Sequence, residues 1–354
     1  MKFGYFTHVW GDPGLTPGQR YARLWDEIET ADRLGFDYAF SVEHHFTPHE
    51  SWMASPAVFC TGAALRTERI RVGALGWVPP LHHPLHLVED IATLDHLLGG
   101  RLEVGLASGV SPEPFVPFGA DFAGRKALTK ECADLIRAAF AVDGPFDFTG
   151  PVHELREVTL SHGAVQRPHP PIWIPTSDRH TLRYLAEIGG HTASTMIVPR
   201  AALAPVYRRF VDWWRGHGHE GAPNIGYWSL VHVAETDAKA EAQAAEHVAR
   251  TFSETLRYDK VSRSAPQAAP ASTLGTAQIL EHSADLGFLL DHNLVFVGSP
   301  QTVAHRIKEA AQEGVFNTLF GEFAFGRLGE REWGESMRLF AGEVAPLLAD
   351  FSVY

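Results

Sequence analysis

The chain has 354 residues, with 42 acidic against 30 basic side chains and a formal net charge of −12, a balance that argues against nucleic acid as a partner. Its two cysteines, Cys60 and Cys132, lie far apart and outside any C-x-x-C pattern, which argues against a zinc or dithiol motif and suits a reducing, cytoplasmic setting. No apolar run is long enough to span a bilayer, and Met1 leads straight into Phe3-Gly4-Tyr5-Phe6, so neither a membrane segment nor a signal peptide is expected.

Lys2 to Thr7 reads as a first strand and Pro17 to Leu34 as a helix, with Tyr21, Leu24, Ile28, Ala31 and Leu34 on one face and Gly35 as its stop. In Asp37 to Phe46 an apolar run reads as a buried strand that ends in Glu43-His44-His45. Pro56 to Leu65 and Pro84 to Leu98 are helices flanking a strand at Ile70–Gly76, and Leu102 to Ala107 is a fourth strand. Strands alternating with helices, without a hairpin signal, imply parallel pairing through helical crossovers. The beat then breaks. Pro112 to Phe122 is a Pro- and Phe-rich loop, Arg125 to Phe140 a helix, and Gly144 to Gln166 a small β excursion.

It resumes with a strand at Ile172–Pro175 and a helix at Arg179–Ile188. A strand at Ala193–Val198 leads to a helix at Ala201–His217, and one at Ile225–Val233 to a helix at Ala238–Leu256. Residues 263–291, Ala-, Ser- and Pro-rich at first, carry no clear element and read as a mobile loop or lid. A helix at Val303–Gln312, an eighth strand at Asn317–Glu322 and a helix at Trp333–Leu348 close the chain. Eight strands alternating with helices read as one α/β domain, a (β/α)₈ TIM barrel with insertions.

On that fold the residues just after the strands face the active end. They include Thr7 and His8; Glu43, His44 and His45; Gly76 and Trp77; Ser108 and Gly109; Thr176, Ser177 and Asp178; Met196; His232; and Glu322 with Phe323. Trp10, Phe115 and Trp77 are candidates for a pocket wall. His82, His83 and His86 fall on a loop and a first helical turn, where solvated histidine is the expectation rather than a metal ligand. Neither G-x-S-x-G nor G-x-G-x-x-G after a strand is present. Thr176 to Thr181, at a strand-to-helix turn, reads either as a phosphate seat built from backbone N–H groups with Ser177, Arg179 and Thr181, or as plain capping by Ser177 or Asp178.

Short matches run in order along the chain: Met1-Lys2-Phe3-Gly4, Gly35-Phe36-Asp37, Glu43-His44-His45-Phe46, Val72-Gly73, His83-Pro84, Glu89-Asp90, Gly100-Arg101, Phe118-Gly119, Val297-Gly298-Ser299-Pro300 and Ser336-Met337-Arg338-Leu339-Phe340. In these the sequence resembles the bacterial-luciferase-like, flavin-dependent monooxygenases. The resemblance implies a (β/α)₈ barrel and a two-component reaction. Reduced FMN (FMNH₂) arrives from a separate NAD(P)H:flavin reductase and meets O₂ to form a flavin C4a-hydroperoxide, which oxygenates a small organic substrate.

Carried over, His44 is an acid/base beside the flavin and His45 its neighbour. Glu43 and Ser108 fall on the flavin side, and a bend that can hold a non-prolyl cis peptide falls on Ala74-Leu75-Gly76. The phosphate residues become Ser177, Arg179, His180 and Thr181, with Arg125 or Lys126 as a further cation. The resemblance also implies a homodimer formed through Pro56–Leu65 and Pro84–Leu98, and a lid at residues 263–291. One departure stands out: where luciferase has a Cys and then an Arg after the fourth strand, this chain has Ala107-Ser108. A deazaflavin-dependent oxidoreductase and a non-catalytic flavin-binding protein are the alternatives.

Overall fold

The computed structural model describes residues 1–258 and 274–354. The strands are β1 (Lys2–Thr7), β2 (Tyr38–Ser41), β3 (Arg71–Trp77), β4 (Leu102–Leu106), β5 (Phe146–Thr149), β6 (Glu154–Val158), β7 (Ile172–Trp173), β8 (Thr192–Thr195), β9 (Ile225–Val233), β10 (Phe296–Gly298) and β11 (Thr318–Glu322). The helices used below are α1 (Pro17–Leu34), α2 (Pro56–Ala64), α3 (Pro84–Leu97), α4 (Phe115–Phe118), α5 (Arg125–Phe140), α6 (Arg179–Ile188), α7 (Arg200–Gly216), α8 (Asp237–Tyr258), α9 (Thr276–Glu281), α10 (Leu286–Asp291), α11 (Pro300–Gly314) and α12 (Glu330–Leu339).

Among the described residues, β1, β2, β3, β4, β7, β8, β9 and β11 form a parallel ring. The seam between β7 and β8 is closed by a parallel bridge from Trp173 to His191, with His191 N donating to Ile172 O at 2.8 Å and Ile174 N to His191 O at 2.9 Å. β10 is an addition that pairs with Val231–Val233 at the far end of β9. It is too short to stand out in sequence. β5 and β6 form the antiparallel excursion expected after α5.

The helices follow from local chemistry. Thr16 and Gln19 make a capping box at the start of α1, and Gly35, at φ 85°, ends it in a left-handed turn. The face predicted for α1 is the one that packs: Leu24, Ile28 and Ala31 are wholly buried. Burial of each Leu or Ile contributes about 1.5–3 kcal/mol.

Inside the ring, Tyr38 stacks on Phe40 and both meet Trp173 and Phe320 edge to face, with Phe40–Phe320 at 5.1 Å and Trp173–Phe320 at 5.6 Å between ring centroids. This aromatic plug packs the barrel interior, and Phe320 also faces the cavity at the strand ends.

β2 ends at Ser41, as the run before Glu43-His44-His45 implied, and the next residues leave the ladder to make side-chain contacts across the barrel mouth. Two sequence expectations change, the closing helix and the loop at residues 263–291. The final helix is not continuous: α12 gives way to a π turn over Phe340–Val344 and a last short turn. Of the expected mobile loop, residues 263–273 lie outside the described residues. Residues 274–291 form α9 and α10, anchored by the buried Ile279, Leu289 and Leu290. No helix among the described residues is long and apolar enough to cross a membrane.

Candidate active site

At the carboxyl ends of the strands lies a cavity of about 670 Å³, within the range of sites for organic cofactors and substrates. Its deepest wall is made by Phe6, Trp228 and Phe320, all buried; Leu75, Val78, Phe115, Ile174 and Ile197 continue it outward. The exposed Lys126, Lys130 and His180, with Arg125, line its mouth.

Three buried carboxylates organise the histidines. Glu43, at the end of β2, accepts the Val78 amide at 2.9 Å and lies 2.8 Å from both His45 Nε2 and His82 Nε2. Burial would push its carboxyl up, but those bonds hold it below the usual carboxylate range. In turn, burial pulls His82 down and the bond and charge of Glu43 more than reverse this, so His82 is raised. The oxygens of Glu43 therefore tie β2 to the segment after β3.

Glu50, in the loop after β2, lies 3.1 Å from His44 Nδ1. The contact is off the hydrogen-bond direction, which leaves Glu50 Oε2 without an aligned donor. Burial disfavours charge on His44, yet the charge of Glu50, helped by Glu43, outweighs it and raises the imidazole above the ordinary histidine value. The mirror effect of His44 and His8 outweighs burial at Glu50 and lowers its carboxyl. His44 is thus a half-buried ring biased toward the protonated form.

The third carboxylate, Glu322 at the end of β11, is wholly buried and takes His8 N at 2.9 Å, His8 Nδ1 at 3.0 Å, Trp10 Nε1 at 2.7 Å and Trp228 Nε1 at 3.1 Å. The His8 and His44 rings meet edge to face at 5.7 Å.

The wall after β3 depends on close backbone approach. A Cβ on Gly76 would overlap the backbone carbonyl of Gly105 and the Leu106 amide, so only glycine lets β3 bulge against β4 here. The Leu75–Gly76 bond is cis, on the stretch where the resemblance allowed one.

At the mouth, α5 and α6 both begin. Asp178 caps α6, accepting Thr181 N and Thr181 Oγ1, each at 2.8 Å. Burial would raise its carboxyl, but the Thr181 bonds and the charges of Lys126 and His180 lower it. Arg125 stacks on Phe122 at 3.8 Å and donates to Phe122 O at 2.9 Å, while its buried Nε has no hydrogen-bond partner.

Of the residues singled out from the sequence, Glu43, His44, His45, Leu75, Gly76, Ser108, Arg125, Lys126, His180 and Thr181 line this one cavity. Ala74 does not: it is buried within β3. Nor do Ser177 and Arg179, which are exposed, with the Arg179 guanidinium 5.9 Å from the Trp213 ring. Phe115 lines the cavity, whereas Trp10 and Trp77 are packed away in the interior.

His82, expected to be solvated, is the partner of Glu43. His83 caps α3, its Nδ1 accepting Leu85 N at 3.3 Å. Among the described residues no group of His, Cys, Asp or Glu is arranged to hold a metal ion. Glu50 escaped sequence reasoning because it sits in a loop with no periodicity to mark it as buried.

Residues 1–317 match a family model described as luciferase-like monooxygenase. The alkanal monooxygenase alpha chain of the Kryptophanaron alfredi symbiont is 24% identical over 361 residues, spanning 99% of each chain. A monooxygenase from Streptomyces bottropensis superposes with a TM-score of 0.86 at 24% identity, over 98% of this chain and 99% of that one. The oxygenating constituent of 3,6-diketocamphane monooxygenase from Pseudomonas putida, solved in complex with FMN, gives a TM-score of 0.79 at 22% identity over 98% of each chain.

Proposed function

Because the chain belongs to the luciferase-like monooxygenase family, we propose that it is the oxygenating subunit of a two-component system. In this reading it takes reduced FMN from a separate NAD(P)H:flavin reductase and uses O₂ to oxygenate a small organic substrate. The observation that carries the reading is the polarity of the cavity: cationic at the mouth, apolar inside, with His44, a histidine biased toward its protonated form, in its lining.

These residues fit a flavin mononucleotide. The unpartnered Nε of Arg125, together with Lys126, supplies donors and charge for a phosphate. Leu75, Gly76 and Val78 offer a flat, largely apolar wall for a ring system. Reduced flavin supplies the electrons that activate O₂. The chain's own part is to hold the ring, keep water out with Phe6, Trp228 and Phe320, and deliver a proton. Glu50 biases His44 toward the protonated form, and His44 donates the proton from that position. The outward-facing Val58 and Leu65 on and beside α2, with Leu97 on α3, give a homodimer an apolar seam.

The test is an anaerobic titration of the purified protein with reduced FMN, oxidised FMN and a reduced deazaflavin, followed by ¹⁸O₂ and a substrate panel read by mass spectrometry. We expect nearly colourless protein, a preference for reduced over oxidised FMN, and one ¹⁸O atom in a product. Stoichiometric flavin that does not exchange, binding of the deazaflavin alone, or tight flavin binding with no product from the panel would each overturn the reading. Sedimentation before and after Leu65→Glu tests the dimer: an unchanged species would refute that seam.

A further inference from the structure

His8 lines the cavity yet has no part in the proton donation assigned to His44. Its surroundings are built with care. Val9, a β-branched residue, is held at φ 56°, a left-handed conformation that such residues rarely adopt. The turn is fixed by Thr7 Oγ1, which accepts Val9 N at 2.9 Å, and by Val9 O, which accepts Trp52 N at 3.0 Å. Its effect is to bring His8 and Trp10 together onto Glu322. Strain of this kind concentrates at sites where geometry matters.

The donors around Glu322 settle the tautomer of His8. Three of its four partners, His8 N, Trp10 Nε1 and Trp228 Nε1, can only donate. The carboxylate thus accepts on both oxygens, and His8 Nδ1, 3.0 Å from Oε2, carries a hydrogen toward it. In the neutral ring Nε2 then holds a lone pair, and among the described residues nothing donates to it. The titratable groups facing His8 are Glu322 from β11, His44 from the end of β2 and Glu50 from the following loop.

Building on the oxygenase reading above, we propose that His8 is the hydrogen-bond and proton acceptor for the organic substrate, and that this substrate is an apolar molecule bearing an acidic hydroxyl, of the phenol or enol class. The apolar body is matched by Phe6, Trp228, Phe320 and Ile174, and the hydroxyl by Nε2. In the step assigned to His8 the substrate O–H bond breaks and an Nε2–H bond forms. The electron pair stays on oxygen, and the new imidazolium is balanced by Glu322. The resulting oxyanion makes the adjacent carbon skeleton more electron-rich and readier for oxygenation. His44 and His8 thereby divide the proton work: one gives, the other takes.

The test needs neither flavin nor oxygen. Long-range ¹⁵N–¹H spectra of the ¹⁵N-histidine-labelled full chain report the tautomer of His8 directly, and we expect an unprotonated Nε2. Binding of 2-naphthol and 2-methoxynaphthalene, followed by calorimetry, then measures the acceptor. We expect the naphthol to bind about tenfold or more tightly than the ether in the wild type, the preference to vanish in His8→Phe, and part of it to return in His8→Gln.

An Nε2–H tautomer, equal binding of the two probes, an undiminished preference in His8→Phe, or failure of both probes to bind would overturn the proposal. Should His8→Phe not fold, the wild-type tautomer and His8→Gln still decide it. A wild type that prefers the naphthol but yields no oxygenated product with reduced FMN would refute the function proposed above while sparing the acceptor role of His8.

Discussion

Replacing Glu43 tests whether it acts first as a clamp or as a cofactor contact. Its carboxylate is wholly buried and joins the end of β2 to Val78 beyond β3, with His45 and His82 as the other partners. Glu43→Ala would leave the Val78 amide without an acceptor, the His45 ring without its partner and His82 without its counter-charge. Breaking a buried, paired charge of this kind costs about 3–5 kcal/mol. Spread over the unfolding entropy of a chain of 354 residues, that is a fall of about 4–7 °C in Tm for two-state unfolding.

Glu43→Gln isolates the charge, because an amide can still accept from one partner but turns a donor toward another. The sign with pH follows from the two shifts. Glu43 is lowered, so its contribution is present above its unfolded value and lost as pH falls through the folded one. His82 is raised, so its contribution is complete below its ordinary value of 6.5 and lost as pH rises through the folded one. The stability gap between wild type and Glu43→Gln should therefore be widest between about pH 5 and 6.5 and narrow on both sides. Urea unfolding across that range measures it. A gap that is absent, or that grows steadily toward alkaline pH, refutes the clamp.

His44→Ala should fold and bind flavin with little change but lose about 10²–10⁴-fold in oxygenation, read as product per O₂ consumed; unimpaired turnover would reduce His44 to packing. Arg125→Ala combined with Lys126→Ala should weaken reduced FMN by roughly tenfold or more while leaving reduced riboflavin untouched, since only the phosphate loses partners. Equal weakening of both ligands in anaerobic titrations would place these cations elsewhere in the mechanism. Gly76→Ala forces a methyl into the β4 backbone and should cost about 1–3 kcal/mol or more, visible as a lower melting temperature. A melting curve like the wild type's would mean that the two strands separate freely.

The barrel was legible because its signals are local. The helical face of α1, the proline at the start of α2 and α3, and the glycine after α1 each act within one turn of chain. The cavity was legible for the same reason, since the strand ends follow from the strands. What the sequence did not disclose was pairing across the mouth. His82 meets Glu43 and Glu50 meets His44 through the folding of loops, and no periodicity relates such residues. His8 and Glu322 were both read as strand-end residues, but they are 314 positions apart in sequence and only the closure of β11 onto β1 makes them partners. β10, three residues long, carries too little pattern to be seen.

The same cross-chain geometry bears on the anionic end of the proposed cofactor. The strand end after β4 brings Ala107 and Ser108 to the cavity without charge, where the resemblance led us to look for an arginine. The sequence offered the start of α6 as the phosphate seat, but Asp178 already accepts the Thr181 amide there and sets a carboxylate where a dianion would have to sit. The start of α5 is different. No side chain caps its first turn, its first two residues are Arg125 and Lys126, the buried Arg125 Nε lacks a partner, and the Asp121 carboxylate that holds the Ala123 and Gly124 amides just before it does not line the cavity as Asp178 does. A phosphate there would meet two cations and a helix amino terminus together. At α6 it would meet Asp178 at close range, with Thr181 already committed. The charge missing after β4 and the acid at Asp178 thus both favour α5, with Lys130 and His180 completing the positive rim. Under that proposal Asp178 holds α6 beside the phosphate site, its charge balanced by Lys126 across the mouth.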